Sequence, residues 1–399
     1  MAHITEFVIT GLAGKDKPYS QKLDRNINVF YGLNGSGKTS LLRIFNSAMS
    51  NDATLLTNVP FKKAEVKIYS IDYKQIFTYT LEKTFNKTRD DIKAPLPAGE
   101  NPDIRLLSSE FFSPSSKRLS LSLQDKGNRW KIKPIYDDFG GHWRHRYLPT
   151  SRLYISPSYF LRGINEPEKG LSEEQLDEIY SEAIQYLWRE YYSNLITAVN
   201  QTTQDGLVNI LKALLIVGAR SKKVQPPMDV KIAYMRISNF LKRQGATKIL
   251  GSLSKFEQSY KNNPQLQSVL ADIDKTEEKI TNIMSPRNQL EFLISRMFSG
   301  NKTVSFGPKS IEIITKQKEP IGVGALSSGE KHILRIFIDT LLASECSFIV
   351  DEPEISMHVD WQKELIGIMH DLNPSLQFIF ATHSPEIMAN INDSQIFRL

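Results

Sequence analysis

One cysteine in 399 residues, Cys346, rules out an internal disulfide, so this chain is not a disulfide-stapled scaffold. Its place just before an apolar run predicts a small buried apolar residue. Long hydrophobic runs are also missing. The greasiest stretch, Leu207 to Ala219, is interrupted by Asn209 and Lys212. It falls short of the ~20 apolar residues that span a bilayer, which predicts a core helix and no membrane contact. No apolar leader precedes Ile4, so a cytoplasmic location is expected. Neither sustained heptads nor an internal repeat is present, which argues against long coiled-coil arms and solenoids. His142 and His145 have no carboxylate or cysteine at ligand spacing and predict no metal site.

What is present is a 40% hydrophobic composition, enough to bury a sizeable core, and a net charge of +6 that permits contact with nucleic acid without requiring it. The densest basic and aromatic stretch is His142-Trp143-Arg144-His145-Arg146-Tyr147, with Arg152 and Arg162 nearby. Such rings and guanidiniums stack on bases or grip phosphates; the alternative is a solvated loop or a subunit contact.

Four short motifs carry more than this composition. Gly32-Leu33-Asn34-Gly35-Ser36-Gly37-Lys38-Thr39 fits the pattern of a glycine-rich loop whose backbone N–H groups converge on phosphate oxygens. The apolar run Ile27 to Tyr31 reads as a buried strand ahead of it, and Ser40 to Phe45 as a helix whose N-terminus points roughly half a positive charge at the ligand. Asn34, Gly35, Ser36, Gly37, Lys38, Thr39 and Ser40 are therefore the expected ATP contacts, with Lys38 reaching the β- and γ-phosphates and Thr39 ligating Mg²⁺.

The run Phe348-Ile349-Val350-Asp351-Glu352-Pro353 reads as a strand ending in two carboxylates. Successive residues of an extended segment point to opposite sides. That suits Asp351 to the Mg²⁺ shell and Glu352 to polarising the attacking water. His383 follows another apolar run, Leu376 to Thr382, and should emerge at the same sheet edge as a γ-phosphate sensor. Leu326-Ser327-Ser328-Gly329-Glu330 opens a helix with Ile333, Leu334, Phe337, Ile338, Leu341 and Leu342 on one face. Ser327, Ser328 and Gly329 offer a hydroxyl and bare N–H groups as a second anion site; the plainer reading is a Ser327 N-cap with Glu330 closing a capping box, and both hold at once.

The organisation that follows is α/β: a P-loop ATPase head with two lobes from the N- and C-terminal parts, and an inserted helical lobe. Residues 1–159 form the N-terminal head half, with strands over Thr5 to Thr10, Ile27 to Tyr31, Ala64 to Ile71, Ile76 to Thr84 and Arg152 to Pro157, and loops over Asn86 to Ser116. Residues 160–285 turn helical, opening at Ser172, and predict a compact bundle whose charged faces around Lys222, Lys223, Lys242 and Arg243 are solvated. Residues 286–399 form the C-terminal head half, with a helix over Gln289 to Phe298 and strands over Thr303 to Phe306 and Ser310 to Thr315. Lys38 and Ser327 lie 289 positions apart, so the two halves must meet in one sheet.

The motif set, spaced 24 positions from Ser327 to Asp351 and 32 from Asp351 to His383, resembles the ABC/SMC-type soluble ATPases, including those of OLD nucleases and bacterial anti-phage systems. Asp351 through Gln362 also looks like the stretch that joins the two composite sites in soluble relatives of SMC proteins. Within that group the compact size and the motif forms look like the ATPase subunits of the PARIS defence system. The resemblance implies a dimer in which Ser327 and Gly329 of one subunit complete the nucleotide site of the other, and a propeller-like homo-oligomer of such dimers. It further implies a separate TOPRIM-type effector nuclease, a phage-encoded trigger, and His383 as the switch histidine. The chain ends sixteen residues after His383, at 399, so any nuclease is expected to act as a separate chain. No clear glutamine marks the lever that such heads carry after the strand ending at Pro157. The alternative is an SMC-like ATPase that binds DNA in repair or maintenance.

Overall fold

The computed structural model describes residues 2–52, 56, 58–85, 124–125, 128–134, 143–150, 173–215, 229–243, 245, 250–262, 264–298, 302–344 and 346–399. The expected strand at Arg152 to Pro157, the loops at Asn86 to Ser116, and His142, Arg162, Ser172, Lys222 and Lys223 lie outside them. Strands are β1 (Ala2–Thr10), β2 (Tyr19–Lys22), β3 (Ile27–Tyr31), β4 (Lys63–Ser70), β5 (Gln75–Phe85), β6 (Gln124–Asp125), β7 (Asn128–Pro134), β8 (His145–Leu148), β9 (Lys302–Phe306), β10 (Ile311–Thr315), β11 (Pro320–Ile321), β12 (Ser347–Asp351), β13 (Gln377–Thr382) and β14 (Ile396–Arg398). Helices are α1 (Lys38–Ser50), α2 (Glu173–Leu215), α3 (Val230–Arg243), α4 (Leu253–Asn262), α5 (Pro264–Met297), α6 (Ser328–Leu342), α7 (Val359–Leu372) and the single turn α8 (Pro385–Met388).

The chain divides into two compact units, Met1–Trp188 with Leu293–Leu399, and Arg189–Phe292. The first unit holds all three sheets. A parallel sheet runs β14-β3-β13-β12-β8, a six-stranded antiparallel sheet runs β2-β1-β4-β5-β7-β6, and β11-β10-β9 form a small third sheet. Every residue of β12 and β13 is buried, as a parallel sheet covered on both faces requires. β3 pairs with β13 from Ile27 opposite Phe378 to Tyr31 opposite Thr382, which joins the two sequence-distant halves.

Helix α1 packs against both large sheets and shares one core with them. Phe45 of α1 meets Phe7 of β1 at 4.9 Å between ring centroids, and Phe7 meets Phe30 of β3 at 5.9 Å. Ile349 and Ile379 close the same cluster from the parallel sheet. Within it, the fully buried Gln377 binds one sheet to the other: its Oε1 accepts from Ile4 N and Ser347 Oγ at 2.9 and 2.8 Å, and its Nε2 donates to Ile4 O and Asp24 O at 2.7 and 2.9 Å.

The stretch 143–148 is not a solvated loop. It is the edge strand β8, paired in parallel with β12 from His145 opposite Ser347 to Leu148 opposite Val350. Trp143 is buried, donating from Nε1 to Tyr79 OH at 3.2 Å. The His145 Nε2 meets Asn46 Oδ1 at 2.8 Å, and Arg146 pairs with the buried Asp339 at 3.1 Å. Only Arg144 is exposed among residues 143–148. The β8 residues His145 to Leu148 are all half-buried.

The long helices also depart from the sequence reading. Residues 173–215 form one continuous helix, and α5 runs straight through Pro286. Proline removes one backbone hydrogen bond, but flanking turns held by packing carry the helix past it. Up to Trp188, α2 packs within the first unit: Gln185 exchanges two 2.9 Å hydrogen bonds with the Ile311 backbone, and Trp188 Nε1 donates to Gly307 O at 2.7 Å. The second unit is helical, with Ala233, Ile237, Phe240, Phe256, Tyr260 and Ile273 in its core, and its Arg243 pairs with Glu277 at 3.3 Å. No described helix is long and apolar enough to cross a membrane.

Truncating Gln377 to Ala strands the Ile4 N–H and C=O and the Ser347 hydroxyl in a dry core, each at about 1–3 kcal/mol. Gln377→Ala should lower the thermal midpoint by several degrees, read by circular dichroism; a shift below about one degree would mean the amide contributes nothing.

Candidate functional site

The phosphate loop follows β3 and turns into α1 at Gly37, whose φ of 104° is a conformation side-chain-bearing residues avoid. A Cβ there would also stand 3.1 Å from that of Ala13. Lys38 is buried, and its Nζ donates to the loop carbonyls of Gly32 and Leu33 at 2.8 and 3.2 Å, which arches the loop over the ammonium. Asn34 and Gly35 are exposed, and the buried Ser36 Oγ has no hydrogen-bond partner among the described residues. Thr39 and Ser40 lie half-buried in the first turn of α1.

Asp351, the last residue of β12, is buried beside this turn. Its Oδ2 accepts from Thr150 Oγ1 at 2.8 Å, while Oδ1 has no partner at hydrogen-bonding geometry. Burial raises its pKa above the ordinary carboxylate value of 3.8, as does the Glu352 charge; the hydroxyls of Thr150 and Thr39 and the Arg43 guanidinium pull the other way and lose. An orphaned buried carboxylate oxygen next to a threonine hydroxyl fits a hard divalent cation that keeps waters and phosphate oxygens as its other ligands. No group of three or more His, Cys, Asp or Glu side chains among the described residues makes a metal cage.

Glu352 leaves the strand at once. Its φ of 49° is left-handed, and its N–H donates to Ala381 O at 2.7 Å. Asp351 and Glu352 therefore diverge through a backbone turn and not through pleat alternation. Glu352 Oε1 lies 3.6 Å from His383 Nδ1, at the end of β13. The buried Glu354 stands on the other side: its Oε1 is 3.5 Å from the same nitrogen and accepts from Thr382 Oγ1 at 2.6 Å and His383 N at 3.1 Å.

At the signature segment, Ser327 caps α6. Its hydroxyl accepts from Glu330 N at 3.4 Å, and its own N–H donates to Glu330 Oε2 at 2.7 Å. Burial pushes the Glu330 carboxyl up, but the Lys302 and Ser327 hydrogen bonds outweigh it and hold the group below its ordinary value. A Cβ on Gly329 would stand 2.3 Å from Ser356 O, so glycine is required here by close backbone approach. Ser327 and Ser328 are exposed, and among the described residues no hydrogen bond joins residues 327–329 to the phosphate loop of the same chain.

The fold thus gathers Lys38, Thr39, Asp351, Glu352 and His383 at one edge of the parallel sheet, and no hydrogen bond among the described residues ties Ser327, Ser328 or Gly329 to them. Sequence reasoning missed Thr150 and Glu354. Glu354 had a signal, a third carboxylate just past a proline turn. Thr150 had none, because its partner lies 201 positions away.

Because the Asp351 carboxyl titrates higher folded than unfolded, its charge opposes folding, and that cost grows as pH rises through the ordinary carboxylate range. Without nucleotide, Asp351→Asn is expected to raise the thermal midpoint at pH 7–8, and the gain should vanish at about pH 3, where the carboxyl is protonated in both states. A lowered midpoint at neutral pH would contradict the reading.

A family model described as AAA domain matches residues 22–286, and a second, described as AAA domain, putative AbiEii toxin, Type IV TA system, matches residues 209–389. The chain is 21% identical over 161 residues to the Retron Vc95 probable ATPase of Vibrio cholerae serotype O1 biovar El Tor, covering 37% of this chain and 29% of that protein. It is 25% identical over 231 residues to the DNA replication and repair protein RecF of Shewanella piezotolerans, covering 53% and 55%. The chain thus spans less than two thirds of either relative. Among solved structures, the Smc head domain with an extended coiled coil bound to the C-terminal domain of ScpA, from Pyrococcus furiosus, aligns over 98% of this chain and 92% of its own, at 13% identity and a TM-score of 0.39. The architecture is α/β, with the phosphate loop, the β12 carboxylate and the β13 histidine at one edge of a parallel sheet, and the chain belongs to the AAA domain family.

Proposed function

We propose that the chain binds and hydrolyses ATP between two copies of its head, and that this cycle serves as the sensor and scaffold of an anti-phage defence system. The observation that carries the reading is the convergence of Lys38, Thr39, Asp351, Glu352 and His383 at one sheet edge, with the Ser36 Oγ and Asp351 Oδ1 left unpartnered there. The exposed Ser327 and Ser328, with Gly329 in the same first turn of α6, supply the second anion site, so Ser327 and Gly329 of the partner subunit close the nucleotide in a two-fold arrangement.

In this mechanism the loop N–H groups from Asn34 to Ser40 and the Lys38 ammonium orient the triphosphate. Thr39 and Asp351 would hold Mg²⁺, which when bound supplies charge neutralisation for the β- and γ-phosphates. Glu352 accepts the proton of the attacking water. Its left-handed backbone turns the carboxylate out of the strand, away from Asp351. His383 contacts the terminal phosphate. Loss of that phosphate removes the bridge between subunits, which makes turnover a conformational signal.

The defence role draws on the likeness to a retron probable ATPase and to the family described as putative AbiEii toxin. In its fullest form the chain acts like AriA, the ATPase subunit of the PARIS system: a propeller-like homo-oligomer of head dimers in the cytoplasm that restrains a separate TOPRIM-type nuclease until a phage protein is sensed. The likeness to RecF favours the second reading, a DNA-engaging repair ATPase. Duplex-stimulated ATPase activity with salt-sensitive DNA binding would select it.

Lys38→Ala should abolish ATP binding in calorimetry, whereas Glu352→Gln should retain ATP, lose turnover by roughly 10²-fold or more and accumulate as a dimer in light scattering. Wild-type turnover in both variants would refute the site. For the shared site, Lys38→Ala and Ser327→Arg chains, each inactive alone, should recover about a quarter of wild-type activity when mixed, since half the dimers then hold one intact site of two. No recovery would refute the two-subunit arrangement.

A further inference from the structure

We infer that Glu354 is a positioning residue that sets the His383 imidazole, an inference that rests on the ATPase reading above. Glu354 is 5% exposed, although a carboxylate in such a place ordinarily faces solvent. Its Oε1 collects three groups of the β13 end: the Thr382 hydroxyl at 2.6 Å, the His383 N–H at 3.1 Å and the His383 Nδ1 at 3.5 Å. The Thr382 hydroxyl in turn accepts from Ser384 N at 2.9 Å, so one carboxylate organises three consecutive residues. Glu354 Oε2 is buried and has no partner among the described residues, so burying this charge is tolerated for what Oε1 does.

The consequence for the ring is electrostatic. Nδ1 faces two carboxylate oxygens, Glu352 Oε1 at 3.6 Å and Glu354 Oε1 at 3.5 Å. A lone pair aimed at them would be repelled, so Nδ1 carries the hydrogen and Nε2 is the nitrogen free to meet a phosphate. Glu352 contributes to the same field, but it is also the expected base and changes protonation during turnover. Glu354, tied to the backbone N–H of His383 itself, is the fixed partner. Sequence alone gives the two glutamates the same appearance; the burial and the backbone bond separate them.

The experiment is a double-mutant cycle on the full-length protein with Mg²⁺ and ATP. Glu354→Ala should lower kcat by roughly 10²-fold with KM for ATP within about threefold, because the phosphate loop and Lys38 are untouched. Glu354→Gln keeps an acceptor for Thr382 Oγ1 and His383 N and should fall between wild type and Glu354→Ala. In the His383→Ala background, neither substitution should lower kcat further. Losses that multiply with His383→Ala, or a raised KM at unchanged kcat, would overturn the inference. If Glu354→Ala does not fold, the same cycle run with Glu354→Gln decides on the same criterion. A wild-type chain that neither binds nor turns over ATP sinks the ATPase reading and this inference together. An active wild type, silenced by Lys38→Ala, with multiplicative Glu354 and His383 losses sinks only the inference.

Discussion

The pairing of β3 with β13 is the constraint on which the rest depends. These strands are separated by most of the chain, yet their register sets Tyr31 opposite Thr382. The phosphate loop begins one residue beyond the first and His383 one residue beyond the second. β12 then sits on the other side of β13 with Asp351 opposite Ala381, which brings the acidic corner to the same edge. Parallel pairing is what makes this work: all the C-terminal strand ends face one way, so loops far apart in sequence converge. The cost of closing so long a loop grows only slowly with length, which allows a helical unit to intervene.

That edge is electrostatically uneven, and the unevenness divides its labour. Asp351 is buried, with burial working against its charge, and one of its oxygens is left without a partner. Lys38, next in sequence to the Thr39 whose hydroxyl faces Asp351, has its ammonium wrapped by loop carbonyls. A protein optimised for stability alone would not leave such groups unmatched in its interior. The imbalance is what one expects of a surface completed by a charged, oxygen-rich ligand.

Much of the fold was legible in the sequence, because fully buried parallel strands write continuous apolar runs. Ile27 to Tyr31 matches β3 residue for residue, and Leu376 to Thr382 starts one residue before β13. The capping box of Ser327 and Glu330 was readable for the same reason, since its partners are three residues apart. What stayed hidden depended on distant partners. Residues 143–148 left a grip, a solvated loop or a subunit contact open, because nothing local says that Arg146 will meet Asp339 or that Trp143 will turn inward. Gln377 looked like a lapse in a greasy strand, although its four hydrogen bonds make it the polar link between two sheets.

The seat of Gly329 against the Ser356 carbonyl has a mechanical meaning. With the Cβ position 2.3 Å from that oxygen, the start of α6 has no clearance from the segment that follows Glu354. The His332 ring, 3.0 Å from Pro353 O, adds a second rivet between the same two segments. The segment carrying the acidic corner and the turn bearing Ser327 and Ser328 are thus joined by two close contacts. In the two-fold arrangement proposed above, this joint lies between the acidic corner of one copy and the face it would offer to the nucleotide of the next.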